Sequence, residues 1–176
     1  TIVRVAIAIF GFLGTIIFAR VLGPTDFGGY YLLFTVVQVV DRPFKGWTAG
    51  VEKRYSEDGA DRKKFLGSGL LFNLIGLAVL SPIVFLLEGR LAAFTGIEGV
   101  AILFLLLLGG EVLFQQLDQL VAAEGRIAVA NYVDGLRSIL TLGLQLLLVV
   151  IGLGVAGMVF GLAGATAVAI GVNFYI

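Results

Sequence analysis

Six apolar runs of about twenty residues recur along this chain, and that is the length an α-helix needs to cross the hydrocarbon of a bilayer. They cover roughly Ile2–Ala19, Gly28–Tyr55, Phe65–Leu87, Val100–Val121, a fifth run ending near Ile151, and Val155–Ile176. VLGPTDFGG, rich in Gly and Pro, predicts a tight loop after the first run, a short linker holds Glu88, Arg90 and Glu98, and a polar link with Glu124, Arg126, Asn131 and Asp134 leads to the fifth. With 59% hydrophobic and 14% charged residues and a mean hydropathy of +1.06, the chain is far more apolar than an ordinary soluble domain. The expected fold is all-α, a polytopic membrane bundle of about six transmembrane helices in the cell membrane.

Composition also removes whole classes of chemistry. The formal charge is zero and no basic run is interleaved with aromatics, so no nucleic-acid partner is expected. The absence of Cys and His removes disulfides, thiolate chemistry, His-based triads and the commonest transition-metal ligands. No cofactor, metal or catalytic residue is expected, because there is neither a phosphate-binding Walker loop nor a nucleophile with a base partner. Gly152, Gly154 and Gly157 do spell GxGxxG, but the flanking residues are lipid-like and no acidic residue lies about twenty positions on to hold a ribose. These glycines predict a helix turn and a packing seam, with Gly157 and Gly161 in small-xxx-small spacing.

The second run is the unusual one. Asp41, Arg42 and Lys45 stand close to its middle, where a bare charge costs at least ~2.5 to 3.5 kcal/mol. On a helix, Gln38, Asp41, Arg42, Lys45, Thr48, Ala49, Glu52 and Lys53 share an arc of roughly 140°, leaving Val39, Val40, Phe44, Gly46, Trp47 and Val51 for the lipid or packing side. Pro43 predicts a kink beside the charges. One reading is a water-filled cavity that presents cations to an anionic group. The other is an Asp41–Lys45 pair, four residues apart, that glues helices together.

A second polar face lies on the fourth run. Glu111, Gln115 and Asp118 project within about 60° of one another, with Gln119 beside them. If it shares a cavity with the second helix, Glu111 or Asp118 would pair with Lys45 or Arg42 and could take up a proton or sodium ion. Glu111 is accordingly expected to face the second helix. On the fifth run Arg137, Thr141 and Gln145 follow at steps of four, with Arg137 expected at the cytoplasmic interface. Arg4, Lys53, Arg54, Arg62, Lys63, Lys64, Arg126 and Arg137 would lie on one side of the membrane, and only Arg20 and Arg90 on the other. The positive-inside rule then makes both termini cytoplasmic.

ARVLGPTDFGGYYL, from Ala19 to Leu32, and the later FKGWTAGVEKRYSE carry a resemblance to a known family. The R-x-LGP-x-x-FG-x-Y pattern resembles the polysaccharide biosynthesis branch of the multidrug/oligosaccharidyl-lipid/polysaccharide exporter superfamily, the lipid-linked oligosaccharide flippases. That resemblance implies two lobes of six helices around a central cavity, with residues 1–176 as the amino-terminal lobe and a carboxyl-terminal lobe missing. It implies a lipid-linked oligosaccharide on a polyprenyl or dolichyl phosphate as substrate, and no chemistry performed on it. Arg20, on the motif, and Arg42 and Lys45, by helix position, become the candidates for meeting the phosphate. Asp41, Glu111, Gln115 and Asp118 become the coupling or cavity residues. The alternatives are a cation-coupled drug exporter of the same superfamily and a non-transporting scaffold for a glycan-synthesis complex.

Overall fold

The structure, a computed structural model, describes residues 2–58 and 62–175. Side chains at 1–10, 13 and 54–66 lie outside the described set, and with them Arg4, Arg54, Arg62, Lys63 and Lys64. The fold is an all-α bundle: α1 (Ile2–Val40), α2 (Arg42–Asp58), α3 (Arg62–Leu86), α4 (Glu88–Thr95), α5 (Val100–Ala123), α6 (Ile127–Leu148) and α7 (Gly154–Tyr175). Among the described residues three helical stretches are long and apolar enough to cross a membrane. They are Gly67–Leu86, Val100–Ala123 and the 49-residue Ile127–Tyr175.

α1 is two helices run together across a single non-helical residue, Gly23, with φ 81° and ψ 164°. The Gly- and Pro-rich stretch expected to be a loop is therefore almost wholly helical. Pro24 explains this, since at the first position of a helix its missing amide hydrogen is not needed and its fixed φ already suits the helix. The segments 2–22 and 24–40 fold against each other at this point, as Phe18, Tyr30 and Phe34 line one cavity. A Cβ on Gly23 would meet nothing within 4 Å, so its requirement is conformational alone. Gly23→Ala should cost about 1–3 kcal/mol, because that region of φ/ψ belongs essentially to glycine. Gly28→Ala, equally open but helical, should cost nothing. Unfolding midpoints of the two variants in mixed micelles test the contrast.

The second break falls at Asp41, two residues before Pro43, where the kink was expected. Backbone bonding carries across it, from the Asp41 amide to the Val37 carbonyl (2.9 Å) and from the Lys45 amide to the Asp41 carbonyl (3.0 Å). Beyond it α2 packs on α3 and α5. Phe44 is buried against Gly76 and Phe72, and Trp47 stacks on the Phe72 ring at 4.4 Å. α3 and α5 run antiparallel, Gly69 lying against the Gln116 amide and Gly109 against Leu77. The linker expected around Glu88 and Arg90 is the short helix α4. It is closed by Gly96 at φ 70°, whose amide donates to Ala92 at 2.7 Å.

α6 and α7 form a hairpin. A five-residue π turn, Val149–Leu153, joins them, and Gly152 (φ 97°) and Gly154 (φ 55°) reverse the chain. The glycine pattern is thus the turn and seam the sequence predicts. α6 starts at Ile127, earlier than expected, so Asn131 and Asp134 are helical rather than part of a link. Asn131 satisfies its amide on the Ile127 carbonyl at 2.9 Å, and so fits within the helix without a turn. The core runs through α5: Val100, Phe104, Leu107, Leu108 and Val112 are buried there, against Leu33 and Val37 of α1 and Met158 and Val159 of α7.

Candidate functional site

At the α1–α2 junction the polar arc expected on one face is split. Asp41 and Thr48 turn inward and are buried, whereas Arg42 and Lys45 are exposed; Val39 and Trp47 are exposed as well, as a lipid side would be. The reason is local. Asp41, Phe44 and Thr48 follow at steps of three and four, and that narrow stripe is the one α5 and α3 cover. Asp41 Oδ2 accepts from Gln115 Nε2 at 2.8 Å and pairs with Lys45 Nζ at 2.8 Å. Thr48 Oγ1 lies 2.9 Å from the Phe44 carbonyl and 3.3 Å from Gln116 Oε1. The polar strip of α5 thus meets the second helix, through Gln115 and Gln116.

Gln116, against Thr48, lies level with Gly69, about 6 Å beyond the start of the apolar run at Phe65 at ~1.5 Å per residue. Phe44, one turn before Thr48, lies against Gly76, and Asp41 is nearly a turn further on, so Asp41, Arg42 and Lys45 stand level with the middle part of α3 rather than with its end. Arg20 is exposed beside the Gly23 turn, and the helix that begins at Pro24 rises about 26 Å before it reaches Asp41. A single phosphate cannot touch Arg20 and Arg42 together.

Glu111 does not face the second helix. It pairs with Arg137, whose Nη2 donates to Glu111 Oε1, while Arg137 Nε donates to Thr166 Oγ1 at 3.0 Å. The guanidinium also lies over the Phe114 ring, 4.3 Å from its centroid. Arg137 is thus part of the interior of the bundle, halfway along α6, and not at a cytoplasmic interface. The hairpin causes this, bringing the Thr166 face of α7 and the Arg137 face of α6 against the same strip of α5. Asp118, two turns beyond Glu111, is half-buried and its Oδ1 has no protein partner. The charges of Asp134 and Arg137 both reach it.

Two adjoining cavities, of about 270 and 330 Å³, open between the first segment of α1 and the α6–α7 hairpin. Asp134, Arg137 and Ser138 line the smaller, Tyr30 and Gln145 the larger, and Thr141 both. Gln145 Nε2 donates to Tyr30 Oη (3.1 Å) and to the Met158 carbonyl (2.9 Å). Sequence reasoning noted Arg137, Thr141 and Gln145 at steps of four but did not place them in a site. Thr166, Asn73 and Gln116 were missed. Thr166 and Asn73 are lone polar residues in apolar runs, and Gln116 stands one residue off the strip read through Gln115.

Over 158 residues the chain is 30% identical to a probable low-salt glycan biosynthesis flippase of Haloferax volcanii. That alignment takes in 86% of this chain and 32% of the relative, so the chain spans about a third of the length of the protein it matches. The similarity to a flippase seen in the first two helices thus extends over most of the chain. No protein-family model and no solved structure matches it.

Proposed function

We propose that this chain is one lobe of a multi-pass transporter that carries a lipid-linked oligosaccharide, on a polyprenyl or dolichyl phosphate, across the cell membrane. In this reading a second lobe of the same protein completes the cavity, and the lobe has six spans with both ends cytoplasmic. The observation that carries it is the division of charge at the α1–α2 junction. Asp41 turns into the bundle while Arg42 and Lys45 stay exposed on its outer side, level with the middle part of α3. Cations at that depth call for water or an anion against them, which a cavity closed by the second lobe would supply. The relative's description as a glycan biosynthesis flippase supports the same substrate class.

Arg42 and Lys45 meet the phosphate in that cavity, and the isoprenoid tail stays in lipid. The glycan, which cannot enter hydrocarbon, passes along the polar wall of Arg137, Thr141 and Gln145 as the lobes rock about the midplane. Nothing is bonded or cleaved. Glu111 and Asp118 are the carboxylates available to couple an ion to this motion. The protein containing this chain, reconstituted in vesicles with a fluorescent polyprenyl-linked oligosaccharide, tests the reading. Arg42→Gln with Lys45→Gln should slow flipping about tenfold or more, as loss of two charge-assisted contacts implies, with insertion unchanged. Wild-type flipping in that variant would rule out the cationic capture site.

A further inference from the structure

The larger cavity, of about 330 Å³, has two unlike walls. Tyr31 and Phe34, three residues apart on the helix that begins at Pro24, bring aromatic rings to it, and the Tyr30 ring lies parallel to Phe34 with centroids 6.1 Å apart. Thr141 and Gln145, four apart on α6, and Thr15 of the first segment bring polar groups. Tyr30 and Gln145 are each 5% exposed, and the sense of the bonding between them is fixed. The Met158 carbonyl can only accept, so the Gln145 atom beside it is the amide nitrogen, and that same nitrogen donates to Tyr30 Oη. The phenol hydrogen is then left over, with no acceptor among the described residues, and Gln145 Oε1 receives no hydrogen from any of them. Thr15 donates to the Gly11 carbonyl at 2.9 Å and keeps its oxygen free to accept. Among the described residues no charged side chain lines this cavity.

We propose that this cavity is a binding site for one neutral hexopyranose ring. A pyranose is two-sided in the same way: its C–H faces are apolar and slightly positive, and its hydroxyl rim both donates and accepts. The C–H face suits the negative faces of the Tyr31 and Phe34 rings. The rim suits the rest, since a sugar hydroxyl can take the spare Tyr30 hydrogen and give its own to Gln145 Oε1, Thr15 or Thr141. The volume stands near the lower bound of small-molecule pockets, about 300 Å³, which is room for one ring and not for a chain of them. A hydrocarbon chain in the same place would leave the phenol hydrogen and Gln145 Oε1 unmet, and a sugar carboxylate would find no cation there. The site therefore selects for a ring that is polar but uncharged. That this ring belongs to a lipid-linked glycan rests on the flippase reading above; the sugar site itself does not.

The test is saturation-transfer NMR on the purified protein containing this chain, held in nanodiscs free of sugar detergents and titrated with methyl hexopyranosides. Saturable transfer to the ring C–H protons is expected from at least one neutral hexoside. The matching methyl hexuronide should bind about tenfold more weakly or not at all, and cyclohexanol, an apolar ring of similar size, should not displace the hexoside. Tyr31→Ala should weaken binding about tenfold, and Tyr30→Phe, which keeps the ring and removes only the hydroxyl, about fivefold. Tyr31 is 43% exposed, so its variant should fold, and the comparison of the three probes on the wild type needs no variant at all. No saturable binding of any neutral hexoside, equal binding by Tyr31→Ala, or displacement by cyclohexanol would each overturn the site, the last by showing a crevice for lipid. Hexoside binding without flipping would sink the flippase reading and keep the site; flipping with no hexoside binding, unchanged in Tyr31→Ala, would do the reverse.

Discussion

Arg137→Met is expected to destabilise the bundle by about 3–5 kcal/mol, and Glu111→Gln placed on top of it is expected to return most of that loss. Both side chains are nearly buried, at 12% and 15% exposure, so solvent screens their pair little. Removing the guanidinium leaves a carboxylate in the interior with no cation, and also frees Thr166 Oγ1 and uncovers the Phe114 face. Removing both charges leaves two neutral groups whose burial is far less costly. A double-mutant cycle on unfolding in mixed micelles measures this directly. Strictly additive effects would show that the pair contributes no coupling. Flipping by the stable double variant then separates a structural pair from a transport residue: full activity assigns Arg137 to stability alone.

Gly161→Ala should be nearly as severe. A Cβ there would stand 2.7 Å from the Gln145 backbone nitrogen and 2.8 Å from its Cα, and backbone cannot rotate away as a side chain can. Overpacking of this kind costs about 1–3 kcal/mol and more where the neighbour is rigid. The hairpin would have to part, and Gln145 would then lose its bonds to Tyr30 and Met158 and with them the wall of the larger cavity. Gly171→Ala, on the same helix with nothing within 4 Å, is the matched control and should leave both stability and the Tyr30 environment as they are. If Gly161→Ala matched it, the seam would not be set by close backbone approach.

What could be read from residues alone followed the range of the interaction. The all-α class, the reversal at Gly152–Gly154 and the seam at Gly157 and Gly161 are local signals, of run length and of glycine spacing, and the structure shows each. The Gly23 turn was read too long, because glycine and proline count as loop formers although Pro24 at a helix start costs no hydrogen bond. The site was harder. Spacing puts Glu111, Gln115 and Asp118 on one strip, but does not say which neighbour covers which turn. Gln115 meets Asp41 and Glu111 meets Arg137 only because α5 lies between two partners. Angular position likewise could not say that Asp41 faces inward while Arg42, one residue on, faces out.

The Tyr30–Gln145 bond joins residues 115 apart in sequence. During synthesis at roughly 5–20 residues per second, α1 precedes its partner by about 6–23 s. For that interval Phe18, Tyr30 and the groove above Gly14 lack the hairpin against which the finished bundle buries them. The last two helices, by contrast, meet each other as soon as they are made. The order of manufacture therefore runs against the order of assembly: the oldest helix is a half-finished surface waiting for the youngest pair, and a stall anywhere before α6 leaves it waiting.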